Sequence, residues 1–477
     1  MAAPHSQFYG RMFPFLPAAS HSENDLIDLA KFHMLDDPTN LPSNPPTMPL
    51  SGFVYFAQFA LHDLTFDRTP LAIAGRVPPE DRLNYRSPFL DLDSLYGAGP
   101  EVSPYLYYLP ESTLGGPSLP PGNERFVIDK TSSGKLLDLP RTGRGRPILG
   151  DPRNEENLIL AQLHALMLRF HNRVMDLVDA GVAVEPRLNG LSKFEQARQL
   201  VVWHYQHVFL YDLLSQVLDV TILDETLAGY RRFATCPWDA FIPIEFALAG
   251  FRFGHSLVRN DYIINTTSHP REELDTLLNL NSMGNPPMIK LQDEWIIEWG
   301  RFFDLPPPGN RNMAHALDTH IAQALHRLPG PVPIDSGSHP RMLQSLPAMT
   351  LLRGARSGLP SGQRVADALG ESRLSHDEMV QQDPPDPNLE DFLLRRNLLE
   401  ETPLWYYILQ EAAARGGRRK LGRVGSRIVA ETIVRLLAAD PNSLLNRGVG
   451  WTPPPWNWAT SPAPIDDVKT LVRFALT

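Results

Sequence analysis

Residues 150–179 read GDPRNEENLILAQLHALMLRFHNRVMDLVD and form the longest periodic segment of the chain. Pro152 and the acidic residues around it are typical of a helix N-terminus. After them, apolar residues recur mostly at steps of three or four, which is the spacing of one face of an α-helix. They are Leu158, Leu160, Leu163, Met167, Phe170, Val174 and Val178. The sequence therefore predicts a long helix from about Glu155 to Asp179.

Arg153 is the unusual residue at the start of this helix. A positive charge there faces the positive end of the helix dipole, which is locally unfavourable. We therefore expect either an anionic partner or a functional role to compensate for it. A structural ion pair with a nearby carboxylate is the simpler alternative.

The same periodicity predicts helices elsewhere, while strand-like alternation is scarce. The further helices are expected over residues 52–63, 193–217, 241–257, 312–327, 404–415 and 424–439. Proline accounts for 46 of 477 residues, against a usual share of about 5%. Many prolines fall in the connections at 37–49, 110–122, 306–309, 384–387 and 452–464. We predict a mainly α protein with long proline-rich loops and little β structure. An extended N-terminal arm (1–50) should pack on one large domain (51–477).

Composition and charge exclude several classes of protein. The chain carries 44 Lys and Arg against 54 Asp and Glu, a formal charge of −10, which argues against nucleic acid or an anionic membrane as partner. The single cysteine, Cys236, excludes internal disulfides, a cysteine-rich zinc site and a CxxCH haem attachment. The chain contains no run of about 18 apolar residues, so no transmembrane helix is predicted. No signal peptide is visible, so we expect a cytoplasmic protein, or one exported by a route that does not use a signal peptide.

The segment FVYFAQFALHD, residues 53–63, is an apolar helix with polar residues at its end. Gln58 and His62 are four residues apart and therefore share a face. Asp63 follows His62 directly. Solvated polar residues at a helix end are the simple interpretation, and a catalytic face is the other.

The segment AGFRFGHSLVR, residues 249–259, places His255 among aromatic and aliphatic neighbours. Gly250 and Gly254 leave one side open to the approach of a bulky group. His255 is then either a core histidine bonded to a carbonyl or a ligand of a flat cofactor.

Taken together, these segments resemble the animal haem peroxidase family, part of the cyclooxygenase–peroxidase superfamily, in a short bacterial-type form. The resemblance runs from GRMFP near the N-terminus to VKTLVRFA at the end. The motifs between them follow the family's order: AQFALHD, SPFLDLDSLYG, GDPRNEEN, LHALMLRFHNR, AGFRFGHSLVR, LLRGARSGLPSGQ, TPLWYYIL and GRVGSRIVAE. The ordered set is more specific than any single motif. It implies a helical peroxidase fold around haem b.

The resemblance implies a role for each polar residue of the peroxide site. His255 matches the proximal ligand of the haem iron. His62 matches the distal base that moves a proton between the peroxide oxygens. Arg153 matches the distal arginine, whose charge stabilises the separating oxygens. Gln58 matches the glutamine that positions a water or an anion beside the iron.

Further residues match or depart from the family's haem contacts. Arg252 and Arg353 match arginines near the propionates. Leu61 occupies the position of an aspartate that forms an ester with haem in mammalian members. Glu156 keeps the position of the second ester, so at most one ester link can form. Thr350 replaces an asparagine that bonds the proximal imidazole, which puts the tuning of that ligand in question.

The family's calcium site is matched by five residues. They are Asp63, Ser87, Phe89, Asp91 and Asp93, with Phe89 contributing its backbone carbonyl. Carboxylate, hydroxyl and carbonyl oxygens are the ligands that Ca²⁺ prefers. A solvated acidic turn is the alternative.

The resemblance implies a peroxidase that reduces hydrogen peroxide. The expected donors are phenols, aromatic amines and, among anions, iodide, bromide or thiocyanate. A fatty-acid dioxygenase or peroxygenase of the same superfamily is one alternative, although its radical-forming tyrosine is replaced here by Arg252. A haem-binding adhesion or sensor protein without turnover is the other. The sequence does not indicate an oligomeric state.

Overall fold

The computed structural model of this chain describes residues 7–36, 45, 47–108, 124–230, 240–306, 309–336, 338, 340–459 and 461–477. Cys236 and the whole connection at 110–122 lie outside these ranges, as do parts of the connections at 37–49, 306–309 and 452–464. Helices dominate the described residues, and the few strands are short. The predicted mainly α class is confirmed.

The α-helices vary from one turn to six. In chain order they are α1 (Glu23–His33), α2 (Ser51–Leu64), α3 (Asp93–Tyr96), α4 (Leu158–Asp179), α5 (Lys193–His207), α6 (Leu214–Val217), α7 (Val220–Leu227), α8 (Ile244–Leu248), α9 (Leu274–Asn279), α10 (Gly300–Phe303), α11 (Leu346–Arg356), α12 (Gly362–Leu369), α13 (His376–Val380), α14 (Leu389–Arg395), α15 (Leu404–Arg415), α16 (Arg423–Ala439) and α17 (Val468–Leu476). No helix in the described part of the chain is long and apolar enough to cross a bilayer.

Shorter elements connect these helices. A π-helical segment, Val208–Leu213, joins α5 to α6. The 3₁₀ turns are Leu71–Arg76, Pro79–Asp81, Pro104–Leu106, Pro152–Glu155, Pro186–Leu188, Gly250–His255, Asp293–Trp295 and Gln323–His326. The strands form antiparallel pairs: β1 (Tyr107–Tyr108) with β2 (Arg125–Phe126), β3 (Asp129–Lys130) with β4 (Leu136–Asp138), β5 (Asp261–Tyr262) with β6 (Glu272–Glu273), and β7 (Val332–Pro333) with β8 (Met342–Leu343).

Helix α4 is the central element and packs against α2, α5 and α17. The side chain of Asn157 caps its N-terminus by accepting a hydrogen bond from the Leu160 N–H at 2.8 Å. Such a cap satisfies one of the free N–H groups of the first turn. The expected helix over residues 155–179 is therefore present, with a 3₁₀ turn, Pro152–Glu155, in front of it.

The N-terminal segment 7–36 lies against the body of the protein and includes α1, which packs on α11. The backbone of Gly10 is bonded to Ile242. The buried carboxylate of Glu245 accepts hydrogen bonds from the N–H groups of Met12 and Phe13, at 2.8 and 3.2 Å. The segment is thereby tied to α8. A boundary at residue 50 stays a prediction.

The expected helix over residues 312–327 is wrong, except for the last turn at Gln323–His326. Residues 314–322 are buried, and their backbone bonds to distant parts of the chain instead of to itself. The N–H groups of Ala314, His315, Leu317 and Ile321 donate to the carbonyls of Pro49, Leu257, Arg418 and Met34. Tertiary hydrogen bonds here override the helical spacing of the apolar residues.

The expected helix over residues 241–257 is broken. Helix α8 ends at Leu248, Ala249 leaves helical geometry, and a 3₁₀ turn from Gly250 to His255 follows. A Cβ on Gly250 would lie 2.6 Å from the side chain of Ile428 in α16, so this turn needs glycine to pack closely. The break places His255 at the end of a short turn instead of inside a long helix.

Candidate active site

The buried end of α2 carries His62, whose imidazole is fixed by a side-chain network. Its Nδ1 lies 2.9 Å from Oδ1 of Asn154, and Nδ2 of Asn154 lies 3.0 Å from Nδ1 of His164. The amide oxygen of Asn154 accepts and its nitrogen donates, so His62 carries its proton on Nδ1 and His164 accepts on Nδ1. The Nε2 atom of His62 is thus left as the basic nitrogen.

His62 is a neutral base in this environment. Burial lowers its pKa to about 3, and the positive charge of Arg153 adds to the effect. An uncharged imidazole with a free lone pair can accept a proton from a substrate oxygen. The same burial excludes water, which strengthens the electrostatic interactions around it.

Arg153 is held rigidly beside His62. Its guanidinium binds both oxygens of Asp151, at 3.1 and 2.7 Å, and donates to the backbone carbonyl of His62 at 2.9 Å. It also lies over the ring of Phe66, 4.1 Å from the centroid. The ion pair expected as the simpler alternative is therefore present. It compensates the charge at the helix start and also fixes the guanidinium at the site.

Gln58 and Glu156 complete the group around His62. Nε2 of Gln58 donates to Oε2 of Glu156 at 3.3 Å, and the same oxygen lies 3.9 Å from Nε2 of His62. Burial raises the pKa of Glu156 to about 7, although Arg153 opposes the shift. Its side chain is nevertheless 48% exposed, so solvent reaches the carboxyl group. The structure thus brings together the three distal residues predicted from sequence and places Glu156, the predicted ester position, beside them.

His255 lies on the other histidine segment, at the end of the 3₁₀ turn Gly250–His255. Its Nδ1 is buried and has no hydrogen-bond partner, and its ring meets the ring of Trp405 edge to face at 5.8 Å. Burial lowers its pKa to about 3, so it is neutral as a metal ligand must be. A Cβ on neighbouring Gly254 would meet nothing within 4 Å. Open space therefore adjoins Gly254, the residue before His255.

A cavity of about 270 Å³ lies near both histidine segments, close to the lower end of the range for ligand pockets. Its charged lining consists of one carboxylate, Asp67, and the guanidinium groups of Arg82, Arg153, Arg252 and Arg353. Tyr9 and Thr350 also line it. The excess of positive charge suits a ligand with carboxylate groups.

Two of these arginines differ in their partners. Arg353 binds Asp67 at 3.3 Å and the carbonyl of Thr69 at 3.0 Å. Arg252 donates to the carbonyl of Ala247, and the described residues give it no ion pair. Burial and the nearby charge of Arg353 lower the pKa of Arg252 to about 10. A half-buried guanidinium without a counter-ion favours an anionic partner.

Thr350 does not make the bond that its position suggests. Its hydroxyl is buried without a hydrogen-bond partner, as is Nδ1 of His255. No hydrogen bond joins these two atoms in this structure.

Three carboxylates meet near the end of α2. Oxygen atoms of Asp63, Asp91 and Asp93 lie within 4.8 Å of one another. Asp63 is fully buried and accepts hydrogen bonds from the N–H of Leu92 at 3.0 Å and from the hydroxyl of Ser94 at 3.0 Å. Burial raises the pKa of Asp63 well above its usual range and that of Asp93 to about 7, and in both cases the neighbouring carboxylates add to the effect.

The loop before Asp91 and Asp93 folds as a turn around them. The N–H of Ser87 donates to Asp93 at 2.9 Å, and the N–H of Phe89 donates to the Ser87 hydroxyl at 3.3 Å. Ser87 and Phe89 thus lie next to the acidic cluster, as predicted. Mutual repulsion of carboxylates in a buried cluster favours a bound cation.

Arg86 connects this cluster to the distal site. It donates to Asp93 at 3.4 Å and pairs with Asp151 at 3.0 Å. Because Asp151 also holds Arg153, a chain of four charged side chains, Asp93, Arg86, Asp151 and Arg153, runs from the cluster to the distal site. Sequence reasoning missed Arg86 and Asp151, although Asp151 lies within the quoted GDPRNEEN motif.

Sequence reasoning also missed Asn154, Tyr9 and Arg82. Asn154 directly follows Arg153, and its position between two histidine-bearing helices was the available signal. Tyr9 and Arg82 carry no local pattern. They reach the cavity only because the N-terminal segment and the loop at Arg82 bond to each other, through the Tyr9 N–H and the Arg82 carbonyl at 3.2 Å.

A neutral buried imidazole, a fixed guanidinium and an arginine-lined cavity inside a helical shell are the parts that a haem peroxidase requires. Residues 38–441 match the family model for animal haem peroxidase. The chain therefore belongs to the animal haem peroxidase family.

Individual relatives are similar over only part of their length. Thyroid peroxidase of Mus musculus is 26% identical over 230 residues, which is 46% of this chain and 23% of that protein. The chain matches only 13 to 24% of the length of the first curated relatives.

Solved structures share the fold across the chain. Peroxidase A from Dictyostelium discoideum has a TM-score of 0.61 at 15% identity, covering 92% of this chain and 88% of its own. A fatty acid alpha-dioxygenase from Oryza sativa has a TM-score of 0.59 at 14% identity, covering 100% of this chain and 80% of its own. At such identities these likenesses show the fold alone.

Proposed function

We propose that this chain is a haem-dependent peroxidase that reduces hydrogen peroxide and oxidises small donors. The observation that carries the proposal is the state of His62. Its Nδ1 proton is committed to Asn154, its Nε2 lone pair is free, and the fixed charge of Arg153 lies beside it. A base and a positive charge in this arrangement are what cleavage of a peroxide bond needs.

The residues around the peroxide O–O bond have separate roles. Haem, when bound, supplies the oxidising chemistry that cleavage of the peroxide starts. His62 accepts the proton of the nearer peroxide oxygen at Nε2 and delivers it to the departing oxygen, which leaves as water. Arg153 stabilises the negative charge that develops on that oxygen. Gln58 orients a water or an anion next to His62.

The proximal residues fit a haem. His255 would bind the iron through Nε2, because its Nδ1 is buried while open space adjoins Gly254. Arg252 and Arg353 would pair with the propionates, and Arg252 has the stronger need for a partner. Glu156 is the single side chain at which an ester to haem b can form. Acid acetone extraction separates the two states: released haem is unlinked, and retained haem implicates Glu156.

The donors we propose are phenols, aromatic amines and the anions iodide, bromide and thiocyanate. We do not expect chloride oxidation, because Leu61 and Asn157 replace two of the residues that link haem covalently in the mammalian members the chain resembles. A fatty-acid dioxygenase is less well supported, since Arg252 stands where that branch has its tyrosine. Sustained oxygen uptake with an unsaturated fatty acid, without peroxide, would favour it. Slow turnover unchanged in His62→Ala would favour an adhesion or sensor protein.

We also propose that Asp63, Asp91 and Asp93 bind calcium, with the Ser87 hydroxyl and the Phe89 carbonyl completing the site. The support is the close approach of three carboxylates, of which Asp63 is fully buried. Removal of the ion should lower the melting temperature and slow peroxide turnover, because Arg86 couples the cluster to Asp151. Chelation followed by readdition of Ca²⁺ tests this. An Asp63→Asn variant should lose the response to chelation.

The decisive experiment on function compares His255→Ala with the unmodified chain. The haem-loaded chain should show a Soret band and peroxide-dependent oxidation of a phenolic donor, and His255→Ala should lose both. His376→Ala is the control, because His376 is exposed and its ion pair within the described part of the chain is with the exposed Glu390. Retention of the same haem spectrum in His255→Ala would refute the assignment.

A further inference from the structure

The imidazole of His255 is held by an aromatic contact. The indole ring of Trp405 meets it edge to face, with the ring centroids 5.8 Å apart and the ring planes at 77°. Aromatic pairs prefer such an arrangement at centroid distances of about 4.5 to 7 Å. Nδ1 of His255 is buried and has no hydrogen-bond partner among the described residues. The indole is therefore the specific contact that this part of the chain offers to the ring.

Trp405 also holds the backbone of the turn that carries His255. Its Nε1–H donates a hydrogen bond to the carbonyl of Arg252 at 3.1 Å. Arg252 lies three residues before His255 in the 3₁₀ turn Gly250–His255. One rigid indole thus contacts the turn at two points, the main chain and the imidazole. These two contacts restrict how far the imidazole can move relative to its own backbone.

Trp405 is in turn fixed by the start of α15. It is the second residue of that helix and is 2% exposed. Thr402, three residues earlier, is tied to Gln363 in α12 by two hydrogen bonds. The Thr402 N–H donates to Oε1 of Gln363 at 3.1 Å, and Nε2 of Gln363 donates to the Thr402 hydroxyl at 2.7 Å. Helix α15 also packs against the turn Gly250–His255. The indole therefore projects from an anchored element.

A histidine that binds a metal needs a fixed ring plane. Its second nitrogen normally donates to an acceptor, which orients the ring and also makes the ligand more basic. The described residues provide no such acceptor for Nδ1 of His255. The orientation of this ring is then determined by packing, and the increase in basicity is missing.

We propose that Trp405 is a positioning residue for the proximal ligand. Its indole fixes the ring plane of His255 through the edge-to-face contact and fixes the turn through the carbonyl of Arg252. The ligand is thereby oriented without being made more basic. The inference rests on the proposed function, because it takes His255 as the iron ligand.

The test compares Trp405→Met with Trp405→Phe in the haem-loaded chain. Methionine fills much of the space without an aromatic ring, whereas phenylalanine keeps a ring and loses the Nε1–H group. The iron–histidine stretching band of the ferrous form, measured by resonance Raman spectroscopy, should broaden and move to lower frequency in Trp405→Met. Trp405→Phe should shift it less and keep its native width. Haem affinity should fall about tenfold in Trp405→Met. Trp405→Leu takes its place if Trp405→Met does not fold.

Trp299→Met is the matched control. Trp299 is 6% exposed, and its ring contacts are with Phe302 and Phe303 in α10. This variant should lose stability without moving the band. A native band in Trp405→Met, or equal shifts in Trp405→Met and either Trp405→Phe or Trp299→Met, would overturn the role of the indole. None of these results touches the proposed function, which fails instead if the haem-loaded chain shows no iron–histidine band at all.

Discussion

Asn154 joins the two histidines of the distal site through one amide group. Its oxygen accepts from His62 and its nitrogen donates to His164, so one side chain sets the tautomer of both rings. This matters because only the tautomer with a free Nε2 lets His62 accept a proton at that nitrogen. The proposed role of His62 as a base therefore depends on Asn154, which bonds to the opposite nitrogen of the ring.

Replacing Asn154 with alanine should lower kcat/KM for hydrogen peroxide by about 10²-fold, since His62 loses its orientation. Stopped-flow kinetics of the peroxide reaction would measure this. Asn157→Ala is the matched control in the same segment. It removes the N-cap of α4, so it should cost about 1 kcal/mol of stability with little change in the rate. Equal rates for the two variants would contradict the role of Asn154.

Replacing Arg252 should have opposite effects on the haem-free and the haem-bound protein. Without haem it is a half-buried charge with no ion pair among the described residues, so Arg252→Met should raise the melting temperature of the haem-free chain. With haem bound, the same change removes a partner of a propionate and should weaken haem affinity. Thermal melts of both forms and a Soret titration would measure these effects. A destabilised haem-free variant would contradict the interpretation of Arg252 as an uncompensated charge.

Single residues were predictable from sequence where they belong to an ordered motif. Gln58, His62 and Arg153 were expected to share one site, and they lie together with Glu156. Asn154 was not expected to contribute, because its role depends on the distance between two helices that no local pattern encodes. The roles that the resemblance implies for the site residues stay predictions, to be tested by the variants above.

Helices were predictable where the apolar period coincided with burial. The spacing located α15 at Leu404–Arg415 and most of α16 at Arg423–Ala439. The same spacing failed over residues 312–327, where burial on all sides left no exposed face and the backbone bonded to other elements. It also failed at Ala249, where the packing of Gly250 against α16 ends the helix. Apolar periodicity indicates which face of a segment is buried. It does not indicate which groups will accept the backbone hydrogen bonds of a segment that is buried on all sides.

The N-terminus of α16 depends on a buried carboxylate from α15. Glu411 accepts hydrogen bonds from the N–H groups of Val424 and Gly425, at 3.1 and 3.2 Å. It lies so close to Gly422 that a Cβ there would come within 2.3 Å of the carboxyl carbon. The approach of these two helices therefore requires glycine at that position and an acceptor at Glu411.

Glu411 should make the stability of the fold depend on pH. Burial raises its pKa to about 7 from 4.5, so the folded chain holds this proton to a higher pH than the unfolded chain does. The free energy of unfolding should therefore fall as pH rises from about 4.5 to about 7, by up to about 3 kcal/mol from this group. Glu411→Gln should remove this decrease in the free energy of unfolding. Compared with the unmodified chain, the variant should gain the most stability above pH 7. Urea unfolding between pH 5 and pH 8 would measure it, with Glu390→Gln as an exposed control.

At the scale of the whole molecule, the N-terminal segment closes the cavity that the larger body leaves open. Tyr9 lines the arginine-rich cavity, and the N–H groups of Met12 and Phe13 anchor the segment to Glu245 in α8. Helix α8 leads directly into the turn that carries His255. The segment is thus connected to the proximal side without belonging to any of the long helices.

Deletion of residues 1–13 should weaken haem binding by at least tenfold, because it opens the cavity at Tyr9 and releases α8. Haem titration of the truncated chain would measure the affinity. Deletion of residues 1–6 is the control, since it leaves every contact described here in place. Equal affinities in the two truncations would show that the segment does not support the site.

Amide hydrogen exchange in the buried segment at residues 314–322 should measure the stability of the whole fold. Its amides are bonded to carbonyls at positions 34, 49, 257 and 418, so no single neighbouring element can move away and free them all. Hydrogen exchange at Ala314, His315, Leu317 and Ile321 should therefore proceed only through complete unfolding. The exchange rate of these four amides, followed with and without haem or calcium, would report how much each ligand stabilises the entire fold.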